Sequence, residues 1–139
     1  MREIEFRGKR KFDNTWIYGG YMKTARTNKI QIGGTSRFCT VYPETLGQYA
    51  GLKDKNGTKI FEGDIVKDEF GRIMKVIFKD NWGKFQFELI KITGYKWTNN
   101  FRFADLTDWF NGSLSETPEI IGNIYDNPEL VEIKQNENN

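Results

Sequence analysis

Histidine is absent from this chain of 139 residues, and its absence excludes a large part of enzyme chemistry. The chain has no Ser-His or Cys-His nucleophile pair, no imidazole base and no imidazole to bind zinc. Its one cysteine, Cys39, permits no internal disulfide, and we predict that it is a small core residue. We therefore expect neither an enzyme nor a cofactor.

Long apolar runs are also missing. No segment approaches the roughly 18 consecutive apolar residues that cross a bilayer, and the charged N-terminus lacks the apolar core of a signal peptide. We expect a cytoplasmic protein with no membrane contact, in a reducing compartment that suits a lone cysteine. Eleven Phe, six Tyr and four Trp can build a core from few side chains.

Four acidic residues, Glu62, Asp64, Asp68 and Glu69, are the carboxylates that come closest to a catalytic or metal site. Paired acids can hydrolyse glycosides, and oxygen ligands can hold a divalent cation. Glu62 and Asp64, however, flank a glycine, where short acidic side chains bond to nearby backbone amides. We interpret the cluster as turn residues and predict no catalytic or metal-binding residues.

Turn residues alternate with short β-type segments along most of the chain, which predicts a mainly β fold with at most short helices. Asn56-Gly57 and Glu62-Gly63-Asp64 predict two tight reversals. Gly19-Gly20 predicts the end of the strand that contains Trp16. Pro43 predicts the start of one helical turn.

The segments 73–78 and 84–92, joined by turn residues 80–83, predict a β-meander. In the second segment Phe85 and Phe87 share one face, and Gln86 lies on the opposite, polar face. The region from 94 to 112 predicts a long excursion, with a short helix over residues 101–110 as the alternative.

The segment from Pro118 to Tyr125 predicts a closing strand, with Gly122 at a position that needs either a bulge or a close backbone contact. After it, Asn127 and Pro128 predict a helical turn with Asn as its cap. The polar tail beyond residue 133 is predicted to fray.

Two longer motifs carry a family resemblance. Gln48-Tyr49-Ala50-Gly51-Leu52-Lys53-Asp54 runs into Glu62-Gly63-Asp64-Ile65-Val66, and Ile121-Gly122-Asn123-Ile124-Tyr125-Asp126-Asn127-Pro128-Glu129-Leu130 follows near the C-terminus. Together they resemble the central and C-terminal signatures of the YopX-like proteins of phages and prophages. The opening Arg2-Glu3-Ile4-Glu5-Phe6-Arg7-Gly8 fits more loosely, because Gly8-Lys9-Arg10 departs from the usual Ala-Trp-Asp.

The resemblance implies a phage or prophage origin in a bacterial host and an SH3-like barrel in the C-terminal part. It implies no activity and supplies no catalytic residues. We accordingly predict an N-terminal β-rich extension or small lobe over residues 1–45 and an SH3-like barrel domain over residues 46–139.

Charge is distributed unevenly along the chain. Residues 1–40 hold nine Lys and Arg against three Asp and Glu, a net charge of +6, whereas residues 101–139 hold two against eight, a net charge of −6. Such asymmetry can join copies of the chain or leave the basic part for an acidic partner. We favour a protein-interaction or self-assembly module that binds a host or phage protein, with a homo-oligomer as one form.

The alternative is nucleic-acid binding without sequence preference through the basic, aromatic N-terminal segment. Cations that neutralise phosphates are interleaved there with rings that stack on bases. The candidate residues for this surface are Arg7, Lys9, Arg10, Lys11, Trp16, Lys23, Arg26 and Lys29.

Overall fold

The part of the chain that the structure describes is built from eleven β-strands and short 3-10 turns. The computed structural model describes residues 3–25, 29–33, 37–93, 103–106 and 117–131. The strands are β1 (Phe6–Lys9), β2 (Trp16–Lys23), β3 (Ile30–Gly33), β4 (Phe38–Val41), β5 (Gly47–Lys53), β6 (Lys59–Phe61), β7 (Asp64–Lys67), β8 (Arg72–Lys79), β9 (Lys84–Ile92), β10 (Phe103–Asp105) and β11 (Glu119–Asn123). The predicted mainly β fold is confirmed.

Short 3-10 helices occupy Pro43–Thr45 and Pro128–Leu130. Both begin with a proline, as predicted, but the Asn127 side chain makes no capping hydrogen bond to the second turn. Its Oδ1 atom instead accepts a hydrogen bond from the Asn123 backbone N–H at 3.2 Å. None of the helices within the described residues is long and apolar enough to cross a membrane.

The chain divides into two units, Met1–Gly51 and Leu52–Asn139. This division lies within β5, later than the residue 45 boundary of the prediction. The boundary lies there because Gly47 and Gln48 of β5 pair with β1 and so join the first unit.

In the first unit, antiparallel strands follow the order β4-β3-β2-β1-β5. The sheet is curled, because β4 returns to the residues just after β1. Arg10 and Val41 form a β-bridge, and hydrogen bonds join Lys11 N to Thr40 O at 3.0 Å and Tyr42 N to Lys9 O at 2.9 Å. The core of this unit contains Ile30, Ile32 and Val41, with Phe6, Ile17 and Leu46 packed against them.

Strand β2 passes through Gly19 and Gly20 and continues to Lys23, so the predicted strand end at these glycines is wrong. Gly19 has φ of 152°, and a Cβ atom there would lie 2.5 Å from the carbonyl oxygen of Gly33. The glycine therefore allows β2 and β3 to approach closely, which is the other role of glycine in strands.

In the second unit, the antiparallel order is β10-β9-β8-β7-β11, and the end of β5 forms a hairpin with β6. Both predicted reversals are present; Gly63, with φ of 93°, precedes β7. Its fully buried apolar side chains include Ile60, Ile65, Val66, Met74, Val76 and Phe87. The described strands do not close into a barrel, and the SH3-like barrel stays a prediction.

The meander is confirmed as β8 and β9, but the polar face predicted for Gln86 is wrong. Gln86 is only 2% exposed; it lies in a central strand, opposite Ile77 of β8 and Asp105 of β10. The strand at Phe103–Asp105 also contradicts the alternative helix in the described part of 101–110. The predicted bulge lies between Ile120 and Gly122 of β11.

Candidate interaction surface

The register of β1–β4 separates their side chains onto two faces, since residues directly opposite in an antiparallel pair share a face. One face carries the core of the first unit. We call the other the outer face. Its residues are Arg7, Lys9, Trp16, Tyr18, Gly20, Met22, Gln31, Gly33, Phe38 and Thr40.

A cation-aromatic stack occupies the β1–β2 end of the outer face. The Arg7 guanidinium carbon lies 4.5 Å from the centre of the Trp16 ring, and Lys9 Nζ lies 5.6 Å from it. Arg7 is only 5% exposed. These three predicted residues are therefore brought together, but Arg7 packs within the fold and presents little charge to solvent.

Beyond the stack, the outer face carries three large apolar side chains that are exposed, whereas Gln31 and Thr40 are polar and half-buried. Tyr18, Met22 and Phe38 are 51%, 40% and 44% exposed, respectively. Tyr18 and Met22 flank Gly20 on β2, and Gly20 pairs with Gly33, which pairs with Phe38 on β4. Gly20 and Gly33 thus lie side by side on β2 and β3, with Tyr18 and Met22 on either side along β2 and Phe38 next to Gly33 on β4. Together they form an exposed apolar patch on a sheet whose opposite face already packs the core.

The sequences of β1, β2, β3 and β4 contain no Asp or Glu. Lys23 and Lys29 lie at the β2–β3 turn and are exposed, as is Arg37, which precedes β4. The ends of these strands therefore carry cations and the strands carry no carboxylate, which favours contact with negatively charged groups near those ends.

Arg10 is placed away from the outer face, on the core side of the curled sheet. It pairs with Asp13, and its Nε donates to Asp13 Oδ1 at 2.9 Å. Hydrogen bonds from Arg10 and Thr15 hold the pKa of Asp13 well below its usual range. Cys39 is half-buried rather than fully in the core.

The remaining predicted binding residues are separated from the stack. Lys11 is exposed, with Nζ 5.8 Å from the centre of the Tyr42 ring. Lys23 and Lys29 lie at the turn described above. Arg26 lies outside the described residues.

Sequence reasoning missed Gly20, Met22 and Phe38 as members of one surface. The signal was present in the alternation of Trp16, Tyr18, Gly20 and Met22 along β2. It was obscured because a Gly-Gly pair usually marks a turn.

Two members of the acidic cluster, Asp64 and Asp68, bond to the backbone of their own turns. Asp64 Oδ2 accepts a hydrogen bond from Phe61 N at 2.7 Å. Asp68 Oδ1 accepts from Phe70 N and Arg72 N, both at 2.9 Å, and its second oxygen pairs with the Arg72 guanidinium. Within the described ranges, no group of three or more acidic or Cys side chains is arranged to hold a metal ion.

A cavity of about 240 Å³ in the second unit lies beside this cluster. Its lining residues are Lys55, Lys67, Asp68, Glu69, Thr117, Glu119 and Ile121. Lys55 and Glu119 form an ion pair of 3.2 Å at its wall. Its charged groups are thus of both signs, and several already bond to one another.

Comparisons with known proteins place the chain in a family. The YopX protein family model matches residues 5–132. Among solved structures, the crystal structure of protein EF1440 from Enterococcus faecalis is similar over 95% of this chain and 100% of that chain, with a TM-score of 0.51 and 23% sequence identity. That likeness concerns the fold alone. No curated protein matches the chain. The chain therefore belongs to the YopX protein family.

Proposed function

We propose that this chain is a non-enzymatic binding module that engages a protein partner through the outer face of its first unit. The partner is a host or phage protein in the bacterial cytoplasm, in keeping with a phage or prophage origin. In this proposal residues 46–139 form an SH3-like barrel that contributes no chemistry.

The observation that carries the proposal is the exposure of Tyr18, Met22 and Phe38 on one sheet face. Exposed apolar surface is favourable to bury, at about 25 cal/mol per Å². Aromatic residues and Met are also enriched in protein–protein interfaces. A patch with cations at its ends therefore suits a partner that offers apolar and acidic side chains.

The hydrogen bonds of the Asp64 and Asp68 carboxylates support a non-enzymatic role. The oxygens of Asp64 and Asp68 accept hydrogen bonds from backbone amides of their own turns. A carboxylate bound in this way holds a loop, whereas a general acid or base needs access to the group from which it takes a proton.

The test is a tagged pull-down from a bacterial lysate, with and without nuclease, that compares the wild-type chain with an outer-face variant. The outer-face variant carries Tyr18→Ser, Met22→Ser and Phe38→Ser. The matched control carries Ile4→Ser and Phe12→Ser, two exposed apolar residues of the same unit that lie outside the outer face.

We expect a nuclease-resistant protein partner with the wild type and the control, and its loss with the outer-face variant. Circular dichroism checks that all three chains are folded. A partner retained equally by the outer-face variant would contradict the proposal.

The cation-aromatic stack favours a second candidate, binding of single-stranded nucleic acid. Lys9 and Trp16, with Lys11 nearby in sequence, supply charge and a ring. Replacing Lys9, Arg10 and Lys11 with Ala should then weaken oligo(dT) binding and flatten its salt dependence. An unchanged salt slope would eliminate this candidate.

A further inference from the structure

Gly20 is a glycine that its own fold does not require. Its φ lies outside the left-handed region, and a Cβ atom built on it would meet its nearest neighbour, the Gly33 carbonyl oxygen, at an ordinary 3.6 Å. Glycine in a strand interior costs stability relative to a residue with a side chain. Gly20 therefore occupies an exposed strand position that has room for a side chain.

The two neighbouring glycines differ from Gly20. A Cβ atom on Gly19 would lie 2.5 Å from the Gly33 carbonyl oxygen, and one on Gly33 would lie 1.8 Å from the Arg37 carbonyl oxygen. Both positions are fixed by contacts within the sheet. Gly20 alone among the three is open on its side-chain side, and a strand glycine of this kind marks a place where another backbone or a ligand approaches closely.

The residues around Gly20 indicate what kind of ligand contacts it. It lies between Tyr18 and Met22 along β2, with Gly33 and then Phe38 beside it across the sheet. The Arg37 carbonyl oxygen already covers Gly33, and the β4 residue beside Gly33 is the large Phe38, so the open position is Gly20 itself. That shape accommodates a peptide backbone between large apolar side chains.

Charge restricts the partner further. Residues 1–51 contain nine Lys and Arg and four Asp and Glu, a net charge of +5. The strands of the outer face contain no acidic residue, and Lys23, Lys29 and Arg37 are exposed at its ends. A basic peptide would be repelled from this surface, whereas an acidic one is attracted.

At two sheet edges, backbone groups that a partner strand would use are already bonded. On β11, Asp54 Oδ2 accepts from Ile120 N at 3.1 Å, and β4 is bridged to the residues after β1 through Arg10 and Val41. Addition of a strand at these edges would break existing hydrogen bonds. The outer face needs no such rearrangement.

We propose that an extended acidic segment of the partner protein lies across the outer face, with its backbone against Gly20. Its apolar side chains contact Tyr18, Met22 and Phe38, and its carboxylates lie towards the cations at the two ends. This assignment rests on the function proposed above and adds the chemical class of the bound segment.

The test uses the full-length chain and a random dodecapeptide display library as the probe. We expect enriched peptides that combine Asp or Glu with apolar residues, and we measure the affinity of the best of them by fluorescence anisotropy. Gly20→Val should weaken that affinity by about tenfold or more, and Gly20→Ala should weaken it less, because its side chain is smaller. Both variants should keep the wild-type melting temperature or exceed it.

Gly19→Ala serves as the control for fold damage and should lower the melting temperature, because it forces a contact with Gly33. No enrichment, enrichment of neutral or basic peptides, or unchanged affinity in both Gly20 variants would each overturn the proposal. Oligo(dT) that displaces the peptide and binds more tightly at physiological salt would also overturn it in favour of nucleic acid.

The outer-face variant distinguishes a failure of the contact proposed at Gly20 from a failure of the proposed function. If that variant loses the selected peptide while Gly20→Val binds it normally, the surface is correct and the backbone contact at Gly20 is wrong. If the outer-face variant also binds the peptide normally, the proposed function itself fails.

Discussion

Asp13 organises the turn between β1 and β2 through several hydrogen bonds to one carboxylate. Its Oδ1 accepts from Arg10 Nε at 2.9 Å, from Thr15 Oγ1 at 2.7 Å and from Thr15 N at 3.2 Å. Asn14, between them, has a positive φ of 61°. All of these donors favour the ionised carboxylate, which is the physical cause of its lowered pKa.

Arg10→Ala should raise the pKa of Asp13 towards its ordinary value, since the Arg10 hydrogen bond is the largest contribution to the shift. Because the pKa is lowered in the folded chain, the stability from this turn is complete above the unfolded value of about 3.9. It is lost as the pH falls from there towards the folded value.

An NMR titration of the Asp13 carboxyl carbon measures this change. Lys11→Ala is the control, because it removes a neighbouring charge whose side chain lies over Tyr42. Identical titration of Asp13 in the wild type and in Arg10→Ala would show that Arg10 is not the cause.

The outermost strand of the second unit, β11, is held by a side chain from the turn between β5 and β6. Asp54 is buried; its Oδ1 accepts from Asn56 N and Thr58 N, both at 2.9 Å, and its Oδ2 accepts from Ile120 N. One carboxylate therefore shapes a hairpin turn and bonds to an amide of a strand 66 positions along the chain.

Asp54→Ala should destabilise the chain by about 3 kcal/mol, because three amides lose their acceptor and a buried donor without an acceptor costs about 1–3 kcal/mol. Asp54→Asn keeps one acceptor oxygen and should cost less. Urea unfolding measures both variants. The control is Asp80→Ala, at an exposed turn position, where we expect a change within about 0.5 kcal/mol. Equal stability of Asp54→Ala and the wild type would refute this role.

The elements differ in how far the sequence could predict them. The reversals at Asn56-Gly57 and Gly63 follow from local chemistry, since these residues adopt a positive φ at little cost. The path of β2 through Gly19 and Gly20 depends on the approach of β3, a contact distant in sequence. Gln86 alternates with apolar residues as a surface residue would, and only its position between β8 and β10 buries it. Both errors arise from tertiary contacts that override a local pattern.

The candidate site was harder to predict than the fold, because it exists only in the register of several strands. Tyr18, Met22 and Phe38 meet through the pairing of β2 with β3 and of β3 with β4. The sequence did predict that cations concentrate in this unit. It could not predict that Arg7 would be buried on Trp16 or that Arg10 would be engaged by Asp13.

Across the whole molecule, the two units carry charge of opposite sign. Residues 1–51 have a net charge of +5, whereas residues 52–139 contain twelve Lys and Arg and fifteen Asp and Glu, a net charge of −3. Surface charges of this kind act over about 8–10 Å at physiological salt. They influence the rate and salt dependence of association more than its final affinity.

Affinity for the selected acidic peptide should fall as salt rises, and Lys23→Gln with Lys29→Gln should flatten that dependence. Lys53→Gln with Lys67→Gln removes the same charge from exposed positions of the second unit and should leave the slope unchanged. Anisotropy titrations over a range of NaCl concentrations measure all three chains. Equal slopes would indicate that the cations beside the outer face do not contact the ligand.

One hydrogen bond lies at the edge of β11, and others join β4 to the residues after β1. These bonds affect how the protein associates at high concentration. Proteins with exposed strand edges can polymerise through their backbones, and such polymers resist everything short of denaturant. At these two edges the present chain offers no template for that reaction. We therefore expect that no larger particle is joined through the backbones of β4 or β11, and that side-chain contacts made there come apart on dilution or in salt and form again when those conditions are reversed.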